Sequence, residues 1–294
     1  DTGNQSLRQR KIAALMKTHC DQIRHVGDLI YYTGIKNMED PLFHSRFHNV
    51  YKDLGIPMYI ALGNHDYYQN PDVWLEISKK FPTQYIFPNH YYLDIYGQNN
   101  KPGLCFLTLD STAINDLGSI HATNLTIAKQ APRVQKQFQW LDTIQQLIKN
   151  RCTFVYTILH HPYSYVGSGR IEDGDDATLM NELYEKKLMK FTNMFLVGHD
   201  HFLAYFSALP KDTAPKHLIP ITQIISGSGG MLKTEGGMGP NNASGDYVKM
   251  PYAEMFRQTG FVKIITKTSS DNPKFSADYI FINHDGKELL KIIK

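Results

Sequence analysis

Seven side chains able to ligate metal ions are spread over five short stretches of this 294-residue chain. They are Asp1; Asp28 and Tyr31; Asn64 of Asn64-His65-Asp66; His160 of His160-His161-Pro162; and His199 with His201 of His199-Asp200-His201. Carboxylate, phenolate and amide oxygens together with imidazole nitrogens suit hard and borderline cations. Seven donors are too many for one ion and enough for two. Two-metal sites, with ions about 3.5–4 Å apart, are the usual machinery for in-line displacement at phosphorus. Asp28 is the natural bridge, since a carboxylate has two oxygens that two cations can share. His65 with Asp66 forms an oriented imidazole suited to binding phosphate or protonating a leaving group. His199 and His201 are two residues apart, so in an extended segment both point to one side. Taken singly, each stretch has an ordinary explanation: Asp28 as a helix N-cap, each histidine as a hydrogen-bonded core residue. Five in order, most of them directly after an apolar run that reads as a strand, outweigh those readings.

The elements that must position these groups are legible. Apolar runs at Ile23–Val26, Pro57–Leu62, Phe154–Leu159 and Met194–Gly198 read as strands, and each delivers one of the stretches at its C-terminal end. In an open α/β sheet that is where ligands bind. Helices are expected over 5–19, 41–52, about Val134–Lys149 and 177–189. Tyr91–Tyr96 and Leu104–Leu109 form a strand pair around a polar turn at Gly97–Asn100. The last third is β-rich, with strands at Ile219–Ile225, Phe261–Thr266, Ala277–Ile282 and Glu288–Ile293 and a hairpin turn at Asp285-Gly286. Alternating β and α followed by β predicts one domain over 1–294, with two packed sheets and helices on the outer faces. Ser226–Gly245 is read as a long surface loop, and it lacks the Gly-Lys-Ser/Thr of a nucleotide P-loop.

Bulk properties narrow the class. With 42% hydrophobic and 20% charged residues the composition is that of a globular protein. A net charge of +3 without a Lys/Arg tract gives no sign of a nucleic-acid partner. No run of about 18 apolar residues exists to span a membrane. Three cysteines, Cys20, Cys105 and Cys152, cannot all pair within the chain, and Cys105 and Cys152 read as buried strand thiols rather than a disulfide. Asp1-Thr2-Gly3-Asn4 reads as a strand-to-helix turn with no strand before it. The natural protein is therefore expected to extend upstream, where any signal peptide would lie.

The stretches in order, Asp1-Thr2-Gly3, Gly27-Asp28-Leu29-Ile30-Tyr31, Gly63-Asn64-His65-Asp66, His160-His161-Pro162 and Gly198-His199-Asp200-His201, resemble the calcineurin-like metallophosphoesterases. More narrowly they resemble purple acid phosphatases of the small, tartrate-resistant type. Tyr32-Thr33-Gly34, Pro88–Tyr92 and Ile225–Gly229 add to that likeness. Most of the superfamily carries Asp-x-His at the first stretch, whereas here the third residue is Gly3 and Tyr31 stands three after Asp28. The resemblance implies a four-layer α-β-β-α sandwich of two mixed sheets with outer helices, its first strand missing from this chain. It implies Fe(III) bound by Asp1, Asp28, Tyr31 and His201, and Fe(II), Zn(II) or Mn(II) bound by Asp28, Asn64, His160 and His199. It also implies an acid phosphatase that hydrolyses small phosphomonoesters through attack of a metal-held hydroxide, in a periplasmic, secreted or lysosomal/vacuolar location. The pattern departs from the family at one point. Another catalytic histidine is usual nine or ten residues after His160, and here the stretch reads Gly167-Ser168-Gly169-Arg170. Arg170 is a candidate to neutralise phosphate in its place, and His161 and His90 are substitutes that the sequence does not position.

Two alternatives remain beside the acid phosphatase. One is a Mn or Zn phosphodiesterase or nucleotide hydrolase on the same fold, against which the pairing of Gly3 with Tyr31 speaks. The other is a non-catalytic metal-binding scaffold, which the missing second histidine favours and the full set of seven ligands disfavours.

Overall fold

A computed structural model describes residues 1–97, 101–118, 123–163, 178–207, 221–232, 246–250, 253–267 and 275–294. Arg170 and most of the Ser226–Gly245 loop lie outside the described residues.

The architecture is α/β with mixed sheets and outer helices, as the sequence predicts. The central layer is an eight-stranded sheet of order β10-β11-β8-β9-β7-β6-β5-β4. Its strands are β4 Tyr92–Tyr96, β5 Gly103–Thr108, β6 Cys152–Ile158, β7 Met194–Val197, β8 Leu203–Phe206, β9 Gln223–Ser226, β10 Tyr247–Met250 and β11 Ala253–Phe256. The run β5, β6, β7, β9 is parallel, while β4 on one side and β8, β11, β10 on the other are antiparallel. β7 reads as an uninterrupted apolar run because both its faces are covered, and all four of its residues are buried.

The second β layer is divided. Parallel β1 Ile23–Val26, β2 Met58–Ala61 and β3 Tyr85–Ile86 make one three-stranded sheet, and antiparallel β12 Gly260–Lys267, β13 Ser276–Asn283 and β14 Glu288–Ile293 make another. A cleft of about 430 Å³ runs between the edges of β1 and β12, with Leu104, Phe106, Leu196 and Ile224 of the large sheet among its lining residues. Val26 and Ala61 from one small sheet and Tyr279 and Phe281 from the other share an apolar core with Phe106, Tyr156 and Leu196. Burial of that inner face is the main force pressing the β layers together.

Helices cover both outer faces. α4 Thr112–Gly118, α5 Asn124–Arg151 and α6 Thr178–Glu182 pack on the large sheet through Ile114, Val134, Leu141, Ile144, Ile148 and Met180. α1 Leu7–His19 places Ile12 against Phe261 and Ile282 of the antiparallel sheet. A π-helical segment Phe43–His48 running into α2 Asn49–Tyr51, together with α3 Val73–Lys80, covers the parallel sheet through Phe43, Phe47, Trp74 and Ile77. The sequence gives α5 too short at its N-terminal end. The helix starts at Asn124, capped by the Thr123 hydroxyl, and carries Pro132 inside it, where proline is normally disfavoured. Burial of Gln130, Val134, Gln137, Leu141, Ile144 and Ile148 at three- and four-residue spacing holds the helix through that point.

One expectation is overturned. Cys105 and Cys152 are joined in a disulfide, and Cys20 is the free thiol. β5 and β6 are parallel neighbours, and an irregularity at Gly103/Leu104 brings the first residue of β6 alongside β5. The two Cα atoms are 5.6 Å apart, within bridging range. The two cysteines are 47 residues apart, and by the chain-entropy account closing such a loop stabilises the fold by about 4 kcal/mol.

Candidate metal centre

All seven predicted ligands come together where parallel strands of both β layers end. β1 is followed by Gly27 and Asp28, both with positive φ (99° and 54°), which turn the chain at the strand end. Glycine is needed at 27 for this turn and for space: a Cβ there would lie 2.4 Å from His160 Nδ1. Asp28 in the left-handed region is the kind of strain that surrounding structure must hold in place. The segment 1–3 docks on this loop, with Thr2 N–H donating to Asp28 O and Tyr31 N–H to Gly3 O. At Gly3 a Cβ would stand 1.8 Å from Leu29 O, so no side chain fits there without moving the backbone that carries Tyr31. The residue-3 side chain and the 29–31 loop would compete for one space.

Around Tyr31 Oη lie Asp28 Oδ2 at 2.6 Å, His201 Nε2 at 2.8 Å and Asp1 Oδ1 at 3.1 Å. One phenol proton cannot serve the Asp1 and Asp28 carboxylates at once, and among the described residues Asp1 Oδ2 is buried without a hydrogen-bond partner. A cation answers both deficits, so the donors fit a metal. Beside this group, Asn64 Oδ1 lies 3.1 Å from His160 Nε2 and 3.2 Å from His199 Nδ1, with 3.3 Å between the two nitrogens. His160 Nε2 is also 3.4 Å from Asp28 Oδ2, which places Asp28 between the two groups. His160 Nδ1 donates to Val26 O, and such a tether fixes the ring and its tautomer.

His199 does not reach the centre from an extended segment. Its φ is 66°, and a turn, not a strand, directs His199 and His201 to different ends of the cluster. Asp66 also departs from expectation. Its carboxylate accepts from Leu29 N–H and Gly63 N–H, tying together the loops after β1 and β2, and it forms no bond to His65. The tight 3₁₀ turn His65–Tyr68 folds Asp66 back into the protein. His65 is oriented instead by donation from Nδ1 to Tyr32 O at 2.6 Å, and its ring lies 4.3 Å from that of Tyr31. His65 remains partly exposed at the mouth of the centre.

Buried charge is concentrated here. Burial works to raise the Asp28 pKa, but His160, His65 and the Tyr31 hydroxyl together hold it well below the usual carboxylate range. Burial and then the Asp28 charge push Asp66 up to about 7. Active sites are places where burial and neighbouring charges shift acids in this way.

Sequence reasoning missed Ser111, in the loop after β5. Its Oγ accepts from His160 N–H and His161 N–H and lies 2.9 Å from His161 Nδ1. That loop is clamped to α5 by a reciprocal pair, Asp110 N–H to Gln137 Oε1 and Gln137 Nε2 to Asp110 O. The strand-end rule that found the other loops would have pointed to this one as well. Among the described residues, two clusters have the spacing of metal ligands: Asp1, Asp28 and His160, and His160, His161 and His199.

The calcineurin-like phosphoesterase family model matches residues 4–203. Tartrate-resistant acid phosphatase type 5 of Homo sapiens is 25% identical over 190 residues, 63% of this chain and 56% of that protein. Purple acid phosphatase 7 of Arabidopsis thaliana is 24% identical over 247 residues, 81% of this chain and 68% of that protein. The chain thus spans little more than half the length of the human relative. Among solved structures, the purple acid phosphatase PPD1 of yellow lupin (Lupinus luteus) superposes with TM-score 0.57 at 15% identity, covering 100% of this chain and 49% of that one. GAP50, the anchor in the inner membrane complex of Plasmodium, superposes with TM-score 0.68 at 18% identity, covering 100% and 85%. At such identities the superpositions show a shared fold. With the family match running through the loops that carry Asp28, Tyr31, Asn64, His160, His199 and His201, the chain belongs to the calcineurin-like phosphoesterase family.

Proposed function

We propose that this chain is a phosphomonoester hydrolase built on a dinuclear centre. The first ion, Fe(III), is held by Asp1, Asp28, Tyr31 and His201. The second, Fe(II), Zn(II) or Mn(II), is held by Asp28, Asn64, His160 and His199. One observation carries the reading: the Tyr31 hydroxyl lies within 3.1 Å of Asp1, Asp28 and His201, beside a Gly3 that leaves no room for an imidazole. A phenolate favours a hard, trivalent ion. When bound, the two cations neutralise charge on the phosphoryl group and acidify the attacking water.

The protein's own groups do the rest. Asp28 spans the two ligand sets. Asp66 fixes the separation of the loops after β1 and β2 through Leu29 and Gly63. His65 donates from Nδ1 to Tyr32 O, which fixes its ring at the mouth of the centre, where an incoming phosphate would meet it. Arg170 stays a proposed phosphate contact.

An exported location agrees with the Cys105–Cys152 disulfide, since such bonds persist in oxidising compartments. No helix among the described residues is long and apolar enough to cross a membrane. The proposed partner is a small phosphomonoester, with no nucleic acid involved.

A second reading, a scaffold that keeps the fold without turnover, draws on the absence of any histidine between His161 and His199. Rates on p-nitrophenyl phosphate and bis(p-nitrophenyl) phosphate separate the possibilities. The monoesterase is expected to favour the monoester by at least roughly tenfold, about 1.4 kcal/mol of differential transition-state stabilisation. Preference for the diester would establish a phosphodiesterase, and absence of turnover on both with metals bound would establish the scaffold.

A further inference from the structure

The sequence contains no histidine between His161 and His199. His161 itself is held in one orientation by the hydrogen bonding of Ser111. A serine hydroxyl has one proton to donate and two lone pairs. Backbone N–H groups of His160 (3.2 Å) and His161 (3.0 Å) occupy both lone pairs of Ser111 Oγ. The one remaining role for Oγ toward His161 Nδ1, 2.9 Å away, is donation. A neutral imidazole that accepts at Nδ1 carries its proton on Nε2.

The preceding histidine is set the other way. His160 Nδ1 lies 2.8 Å from Val26 O, a carbonyl that can only accept, so Nδ1 holds the proton and Nε2 offers a lone pair toward Asn64 and Asp28. Two consecutive histidines are therefore fixed as opposite tautomers, one suited to a metal and one suited to an anion. The His161 ring is buried, 4.6 Å from the His199 ring and 4.9 Å from that of His160, with one nitrogen of each within 4.8 Å of the others. Its Nε2–H lies on the ring edge away from Ser111.

We propose that His161 is a fixed Nε2–H donor to a phosphoryl oxygen bound beside the second metal, with Ser111 as the residue that sets its tautomer. The inference rests on the dinuclear phosphatase reading and adds to it the group that binds the anion. A buried, preoriented donor of this kind needs no reorganisation when charge accumulates on the phosphoryl oxygens.

Zinc-loaded protein with inorganic phosphate as the probe tests this. Long-range ¹⁵N–¹H correlation spectra are expected to show His161 unprotonated at Nδ1 and protonated at Nε2, and the opposite tautomer would overturn the inference. His161→Phe is expected to keep two zinc ions per chain while binding phosphate roughly 10- to 100-fold more weakly, the scale of a lost hydrogen bond to a charged group. His161→Gln, which restores an amide donor at that reach, recovers affinity to within about threefold of wild type. Ser111→Ala frees the tautomer and weakens phosphate binding by roughly tenfold with zinc retained. Unchanged phosphate affinity in His161→Phe would assign the residue a packing role. Loss of one zinc ion in His161→Phe would make it a ligand instead. Either result ends the inference and leaves the dinuclear reading standing, whereas a wild-type chain that takes up no metal pair ends both.

Discussion

Asp28→Asn is expected to lose most bound metal and to lower kcat/KM on a phosphomonoester by about 10³-fold. An asparagine keeps the shape of the side chain and tolerates the left-handed backbone at this position, where φ is 54°. It also keeps a carbonyl oxygen to accept from His65 N–H, as Asp28 Oδ1 does at 2.9 Å. What it removes is the negative charge shared between the Tyr31–Asp1–His201 group and the Asn64–His160–His199 group. Metal ions at such sites supply several kcal/mol of charge stabilisation, and each 1.36 kcal/mol is about tenfold in rate. Metal analysis and steady-state kinetics on the same preparation check this. A variant that keeps two metals and near-normal turnover would remove Asp28 from the bridging position.

Gly63→Ala is expected to damage the centre without touching a ligand. A Cβ at residue 63 would stand 2.2 Å from Asp28 Oδ1, 2.4 Å from Asp28 N and 2.7 Å from His160 Cε1. Two of those contacts belong to ligand side chains and one to the strained backbone between them. A displacement of about 1 Å at a reacting group costs on the order of 10²-fold in rate, so a loss of roughly 100-fold or more is expected, with a lowered melting temperature. Gly55→Ala is the control, because nothing lies within 4 Å of its added carbon although its φ is 73°. It is expected to cost about 1 kcal/mol of stability and to leave turnover intact. Equal activity in the two variants would contradict the close packing of the loops after β1 and β2.

How much of this was legible in the sequence depends on the range over which each feature is encoded. Strands β1, β2, β6 and β7 announce themselves by local apolar runs, and a chemically distinctive residue stands within a few positions of each run's end, so six of the seven candidate ligands could be read from their positions; Asp1 was legible only from the turn it opens. Features set by the packing of distant segments could not. The Cys105–Cys152 bond requires β5 and β6 to be neighbours, which no local pattern states. Asp66 follows His65 in sequence, which suggested that one orients the other. The 3₁₀ turn instead sends the carboxylate to Leu29 and Gly63, thirty-seven and three residues away. Ser111 carries no motif, and its importance arises from three donors and acceptors gathered from a different strand end. The division of the second β layer into two sheets was likewise invisible, because strand order is a long-range property.

In the function proposed here, Tyr31 and its neighbours hold a trivalent ion beside a divalent one. The direct measurement is the metal content of the purified protein together with its visible absorption spectrum, taken on wild type and on Tyr31→Phe. Two metal ions per chain are expected, at least one of them iron, with a visible band that disappears in Tyr31→Phe. A colourless wild-type protein that binds metal but no iron, or a band that survives the loss of the Tyr31 hydroxyl, would contradict that function.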